Sequence, residues 1–381
     1  MHRSKPSATP DLVRINASQF EALVRAHEAF TSGRPGGRRA LTRFIVARGV
    51  QAHKRQMQDI DFTGADLTGA SFIASDMSRA ALYCADLSKA DLRASILVRA
   101  DLRGARFNGA RMAGAVLDGA DMRAAILCAV DDLRGLKRMG AGGAASLNGA
   151  SLNGVDMDEA VAYQVDFTNC SMRGITLRNC NLKGANFSGA NLDGADFAGA
   201  RIEGANFNDT ILTGVNVEAM MLPPSVLAKC VLSPTASAIA RVDQIRTEID
   251  SSHLWGTTNG VQGRPAQLAG MDLRPAGSLF KAKFLGGLTA RNTMAIGLDF
   301  SEAELQGAIF DGADLRNANF TGADLRGASF INAKLGHACF DKAVIGDLEL
   351  IRGNRRSTNF EGAQLEGTRI VLQPSRIQLV D

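Results

Sequence analysis

A large apolar residue returns every five positions from Phe62 to Leu127, through Leu67, Phe72, Met77, Leu82, Leu87, Leu92, Leu97, Leu102, Phe107, Met112, Leu117 and Met122. Nothing else in the 381-residue chain restricts its fold so strongly. On an α-helix, five residues rotate a side chain by about 140°, which would scatter these residues around the cylinder. On a flat strand, an odd step sends alternate members to opposite faces. All of them can point inward only if the backbone turns by a similar amount every five residues. The chain must wind around its own core.

The other positions of the unit are equally regular. Two residues before the apolar one sits a small residue (Ala65, Ala70, Ser75, Ala80), and directly before it Asp recurs (Asp61, Asp66, Asp76, Asp86). Gly recurs two residues after it (Gly64, Gly69, Gly104). The pattern lapses after Leu127 and returns in phase at Leu147, Leu152 and Met157, then runs through Phe187 and Phe197 to Val217. A lapse of four units without loss of phase points to four units per turn. Units such as Ala65-Asp66-Leu67-Thr68-Gly69, Ala185-Asn186-Phe187-Ser188-Gly189 and Ala313-Asp314-Leu315-Arg316-Asn317 resemble those of the pentapeptide-repeat family. The resemblance extends over well more than half of the chain. It implies an all-β solenoid, a right-handed quadrilateral β-helix. Leu67, Phe72, Leu87, Phe107, Phe187, Phe197, Leu315, Phe320 and Leu325 are then core residues. Each large buried side chain is worth roughly 1.5–3 kcal/mol. With coils about 4.8 Å apart, eight coils make a rod of about 38 Å.

A second array follows Phe300, Leu305, Phe310, Leu315, Phe320, Leu325, Phe330, Leu335, Phe340 and Ile345, lapses over 350–356, and returns at Phe360, Leu365 and Ile370. We therefore divide the chain into a basic arm, helix and cap (1–57), a first β-helix (58–218, with a degenerate coil at 128–146), a helical insert (219–267), a second β-helix (268–371) and a tail (372–381). Ser18 and Glu21 suggest a capping box for the N-terminal helix, whose face carries Phe20, Leu23, Val24 and His27. In the insert, Ile239, Val242, Ile245, Ile249 and Leu254 predict one long amphipathic helix over 235–254. His27 is followed by Gly37, Arg38 and Ala40 at the offsets at which His253 is followed by Gly263, Arg264 and Ala266. This suggests a duplicated unit in which each helix caps an array, because a solenoid end exposes unpaired strand groups and core.

Catalytic chemistry is hard to find. With one Trp, two Tyr and five His, the chain has few of the groups that active sites favour. We expect no enzyme activity, cofactor or metal site. The six Cys form no Cys-x-x-Cys pair, and Cys170 and Cys180 replace the small residue of their units as buried fillers. Reduced thiols fit a cytoplasmic protein, and no apolar run reaches the ~18 residues of a membrane span. Gly140-Ala141-Gly142-Gly143-Ala144 lacks the Lys-Ser/Thr of a phosphate loop.

Outward positions are more informative. Ile96, Val98 and Val116 stand where Asp or another polar residue is usual, and a twenty-residue coil puts them on one wall. They suggest either partner docking or packing under residues 128–146. Tyr83 and Tyr163 also point outward, on an adjacent wall by the same count. Arg103 and Arg123, continued by Lys183, would form a basic stripe. We read the chain as a scaffold or adaptor for a protein partner. An alternative implied by the resemblance is a DNA-mimic regulator of a type II topoisomerase such as gyrase, against which stand the many Arg. Eleven Lys or Arg against three Asp or Glu in residues 1–58 leave direct nucleic-acid binding as a weaker possibility. Pairing of two β-helix ends could produce a homodimer.

Overall fold

Each five-residue unit makes one bridging strand position and one tight turn. In the turn Phe62–Ala65, the Ala65 N–H donates to the Phe62 carbonyl at 3.0 Å. Its third residue, Gly64, has φ +64°, a left-handed conformation that explains the recurrent Gly. Asp at the bridging position closes the corner, as where Asp76 Oδ1 accepts the Ser78 N–H at 2.9 Å. Four turns complete a coil, and successive coils pair in parallel twenty residues apart, Asp61 with Ala81 and Ala81 with Asp101. The computed structural model describes residues 12–128, 143–350, 353–368, 370–373 and 376–379. It contains two compact units, Met1–Ser233 and Pro234–Asp381, each built on a right-handed quadrilateral β-helix.

The core is a set of stacked columns. Leu67, Phe72, Leu87, Phe107, Phe187, Leu315, Phe320 and Leu325 are fully buried, and Phe197 nearly so. Phe167, Phe187 and Phe207 stack with ring centroids 5.2 Å apart, close to the spacing of the coils themselves.

The first β-helix begins earlier than residue 58. Leu41 already pairs with Asp61, so residues 41–60 form a complete coil whose core positions are Thr42, Ala47, Ala52 and Met57. The first three are small because a helix fills the end of the lumen. Helix α1 (Ala17–Thr31) buries Phe20, Val24 and His27, and the Phe20 ring lies 6.1 Å from Phe62 and 6.4 Å from Phe72. Its capping box is Asn16–Gln19 rather than Ser18–Glu21, since Asn16 holds the extended cap conformation and Ser18 lies inside the first turn. Strand β1 (Val13–Arg14) adds one more parallel rung beneath β2 (Ile45–Val46).

The lapse at 128–146 is not a degenerate coil. Arg111 pairs with Ser146, thirty-five residues on rather than twenty, so the chain spends fifteen extra residues between Cys128 and Ala144, which bridge each other in antiparallel fashion. Phase survives because fifteen is a whole number of units. The rung Ile211–Val231 carries the first array past residue 218, with α2 (Pro224–Leu227) between its two sides.

In the second unit the long helix expected over 235–254 is two, α3 (Ala236–Ile239) and α4 (Val242–Thr257). Only Ile245, Ile249 and Ser252 form the buried seam of α4, and Ile239 and Leu254 are exposed. Five residues separate Ile249 from Leu254, which carries Leu254 off the seam. The first coil has two extra residues (Gln267 pairs with Thr289), absorbed in a 3₁₀ segment at Arg274–Phe280. The lapse at 350–356 belongs to an antiparallel hairpin of β3 (Asp347–Glu349) and β4 (Arg355–Ser357), which adds ten residues between Ser329 and its partner Asn359. The tail is a second hairpin, β5 (Ile370–Gln373) with β6 (Arg376–Leu379), so the boundary at 371/372 falls within a strand.

Candidate functional site

The two caps show what the duplicated motif does. His27 is wholly buried; its Nδ1 accepts the Ala40 N–H at 3.1 Å and its Nε2 donates to the Gln58 carbonyl at 2.7 Å. Glu28 accepts the Gln56 N–H at 3.0 Å on the first coil edge and also pairs with Arg55, which reaches Glu21 as well. Gly37 passes so close to the backbone of Ala29 and Phe30 that no Cβ could fit, and the Arg38 N–H donates to the Ala26 carbonyl at 2.9 Å. In the second unit, Gly263 lies equally tightly against Ser251, Arg264 pairs with Glu248, and Ala266 is buried. Glu248 accepts the Gln267 N–H at 3.1 Å, the counterpart of Glu28. His253 is not the counterpart of His27. The spacing of Phe20, Val24 and His27 matches Ile245, Ile249 and Ser252, so Ser252 takes the buried place, and His253 Nδ1 accepts from the Phe284 N–H at 3.2 Å instead. The paired glutamates were missed in the sequence because they follow no shared offset from the histidines.

The outer walls of the first β-helix are named here by their core columns: wall 1 over Phe62 and Leu82, wall 2 over Leu67 and Leu87, wall 3 over Phe72 and Leu92, wall 4 over Met77 and Leu97. Ile96 and Val116 are rung partners on wall 4, with Val98 beside them. Ile96 is 37% exposed, whereas Val98 and Val116 are half-buried. The bridge between Cys128 and Ala144 sits at wall 2, opposite wall 4. Ile126 and Val161, adjacent on wall 2, form a second outward β-branched pair that the repeat pattern also signals.

The fifteen extra residues shift every column beyond them. Tyr83, Arg103 and Arg123 share wall 1, where Asp158 and Arg178 follow. Tyr163 and Lys183 lie on wall 2, so Tyr163 is not beside Tyr83 and Lys183 does not extend the arginine stripe. Nor is the stripe a free positive surface. Arg103 pairs with Asp101 at 2.7 Å and Arg123 with Asp121 at 2.6 Å, and the Arg103 guanidinium lies 5.4 Å from the centre of the Tyr83 ring. Tyr83, Arg103 and Arg123, together with Cys84, Asp158 and Glu159, line a shallow groove of about 480 Å³.

Such pairs make acid the natural probe of the walls. Hydrogen bonds from Arg93, Arg103 and Arg123 hold the carboxyls of Asp91, Asp101 and Asp121 below the usual carboxylate range, against the opposing effect of burial. Folded carboxyls then bind protons less readily than unfolded ones. Their stabilisation is present above the unfolded value of ~4 and is lost as pH falls through the lower folded values. We predict a melting temperature insensitive to these groups from pH 8 to about 5 and falling below about 4. A melt unchanged down to about pH 2.5 would remove the ion pairs from the stability of the fold.

Cys170 and Cys180 are buried and their thiols donate to the carbonyls of Leu147 and Met157 at 3.0 and 2.9 Å. Burial pushes the Cys180 thiol up to about 12 and the Cys170 thiol up as well. Among the described residues no group of three or more His, Cys, Asp or Glu could hold a metal ion. The glycine-rich stretch at 140–144 lies largely outside the described residues, as do residues 1–11 of the basic arm. Within the described part of that arm, Arg43 and Arg48 pair with Asp61 and Asp66.

A coil of four pentapeptide turns around Leu and Phe columns defines the class of protein. The sequence matches the family described as pentapeptide repeats (8 copies) at residues 56–93, 95–131, 144–174, 176–214, 287–322, 299–336 and 308–345, and the chain belongs to that family. No curated protein sequence matches it significantly. Among solved structures it is similar to HetL, a pentapeptide repeat protein involved in heterocyst differentiation regulation from the cyanobacterium Nostoc sp. strain PCC 7120. That similarity has 16% identity over 92% of this chain and 95% of that one, with a TM-score of 0.33. A trypsin-treated form of QnrB1, a plasmid-mediated fluoroquinolone resistance protein, matches at 22% identity over 52% of this chain and 90% of that one, with a TM-score of 0.25. Rfr23 from the cyanobacterium Cyanothece 51142 matches at 17% identity over 42% and 89%, with a TM-score of 0.18. At these identities and scores the similarities carry no inference about function. No helix among the described residues is long and apolar enough to cross a membrane.

Proposed function

We propose that the protein is a non-enzymatic interaction scaffold that docks a protein partner on wall 4 of its first β-helix. The observation that carries this reading is the Ile96–Val116 rung with Val98 beside it. Three β-branched apolar side chains share a wall whose flanking outward positions are Gln56, Asp76, Ser151, Ser171 and Asn191, before the Ile211–Val231 rung near its end. A contiguous apolar patch in such a setting is costly to leave in water unless something covers it. The solenoid core keeps the wall rigid, so binding costs little ordering.

The test is affinity capture of the tagged chain from its native lysate, compared with a variant carrying Ile96→Asp and Val116→Asp. We expect a stoichiometric partner that is lost, or at least tenfold depleted, in the variant. An unchanged set of captured proteins would rule out wall 4 as the docking surface.

A second reading, imitation of duplex DNA toward a topoisomerase such as gyrase, has one observation in its favour. Residues 143–232 hold nine Asp or Glu against five Lys or Arg, whereas residues 41–128 hold nine against twelve. Only the C-terminal half of the first rod is acidic. Inhibition of gyrase supercoiling by the purified chain would favour this reading over the scaffold.

A further inference from the structure

We infer that the N-terminal end of the first β-helix docks on an anionic lipid bilayer through walls 1 and 2. This surface is separate from wall 4, and the inference goes beyond the protein-docking reading above. The first coil breaks the outward pattern of the coil that follows it. Its outward residues on these two walls are Leu41, Arg43, Val46 and Arg48, where the second coil carries Asp61, Thr63, Asp66 and Thr68. Asp61 and Asp66 close their own corners by accepting the Thr63 and Thr68 N–H groups at 3.1 and 3.2 Å. Leu41 and Val46 have no acceptor to offer, so the first coil presents apolar groups and lacks both corner bonds.

Apolar groups at this end stand in solvent. Leu41 is 71% exposed, and on the β1 rung beneath wall 2 Val13 is 58% exposed, with Leu12 exposed beside it. Phe44, at the corner between the two walls, and Val46 are half-buried. Guanidinium groups surround them. Residues 12–50 hold seven Arg against two Glu, and both Glu pair with Arg55. Arg14, Arg38 and Arg39 are exposed and have no carboxylate partner among the described residues. The Arg39 guanidinium donates to the Asp59 carbonyl at 3.1 Å. Arg43 and Arg48 reach Asp61 and Asp66 yet stay largely exposed. A bilayer interface suits both features: the acyl boundary takes the apolar side chains while anionic headgroups take the arginines. The phosphates of a nucleic acid would meet the arginines but leave Leu12, Val13 and Leu41 in water, which favours the lipid.

The test is co-sedimentation of the full chain with vesicles of phosphatidylcholine alone, or with phosphatidylserine as roughly a third of the lipid. Binding to the anionic vesicles is expected to be about tenfold or more stronger than to the neutral ones, and to fall as salt is raised. Arg38→Glu combined with Arg39→Glu should weaken it about tenfold or more, because each arginine contributes separately to attraction by the surface. Leu41→Ser should weaken it about fivefold or more through the lost apolar insertion. All three positions are exposed, and an unchanged melting temperature shows that the variants are folded. Arg14→Glu supplies an independent charge variant if the double reversal does not fold. Arg99→Glu, at an exposed arginine two coils further along, should leave vesicle binding unchanged. Failure to bind anionic vesicles at low salt, equal binding to both kinds of vesicle, or binding that Leu41→Ser and the charge reversals leave intact would overturn the inference. So would binding of a duplex DNA oligonucleotide without binding of vesicles, which would assign the arginines to nucleic acid.

Discussion

Phe320→Ala should unfold the second β-helix at markedly lower denaturant while leaving the first unchanged. Phe320 is fully buried in the column Phe300–Phe320–Phe340, with ring centroids 5.1 and 5.0 Å apart, and meets Phe310 and Phe330 edge-on at 6.0 and 5.8 Å. Removing the ring takes away its contacts with four aromatic rings at one site. It leaves a cavity that the neighbours cannot close, because each is fixed by its own coil. Large-to-small changes of this kind cost about 3–5 kcal/mol. Only nearest coils touch in a solenoid, so the loss should stay within the unit that contains it. Hydrogen exchange followed by mass spectrometry reads both units at once. Loss of protection confined to the Pro234–Asp381 unit is the expected result; equal loss in both units would mean that they fold as one.

His27→Leu is the corresponding test of the first unit. Leu can fill the space under α1, yet it offers neither an acceptor to the Ala40 N–H nor a donor to the Gln58 carbonyl. Leaving buried polar groups without partners costs about 1–3 kcal/mol each, so the cap should be weakened by about 2–6 kcal/mol. The Ala40 amide should exchange far faster, and α1 should become the first site of proteolysis in the first unit. His253→Leu serves as the control. Because His253 is only half-buried and Ser252 holds the equivalent position, its effect on the second unit should be well under that of His27→Leu. Equal effects would mean that the histidines are equivalent after all.

Much of this architecture was legible in the residues because the repeat is local. The five-residue period places Leu67, Phe187 and Phe320 inside without reference to any distant contact, and the small residue, Asp and Gly of each unit have reasons confined to one turn. Candidate outward residues could be named for the same reason, as departures of Ile96, Val98 and Val116 from the usual polar position. Legibility failed where a long-range contact supplied what the local pattern lacked. The first coil was hidden because Phe20, some forty residues before its neighbour Phe62, fills the lumen and lets Thr42, Ala47 and Ala52 be small.

Sequence by itself therefore determined that the chain coils around its own core and which side of the wall each residue faces, since side-chain direction repeats with every turn; the right-handed four-sided path was implied by the resemblance to pentapeptide repeats. Tertiary structure decided which outward residues are neighbours. Fifteen inserted residues leave the period intact yet move Lys183 off the Arg103–Arg123 column and part Tyr163 from Tyr83. Phase depends only on the remainder after division by five, but neighbourhood on a wall depends on how many residues the chain spends in a full turn, and only the pairing of coils records that.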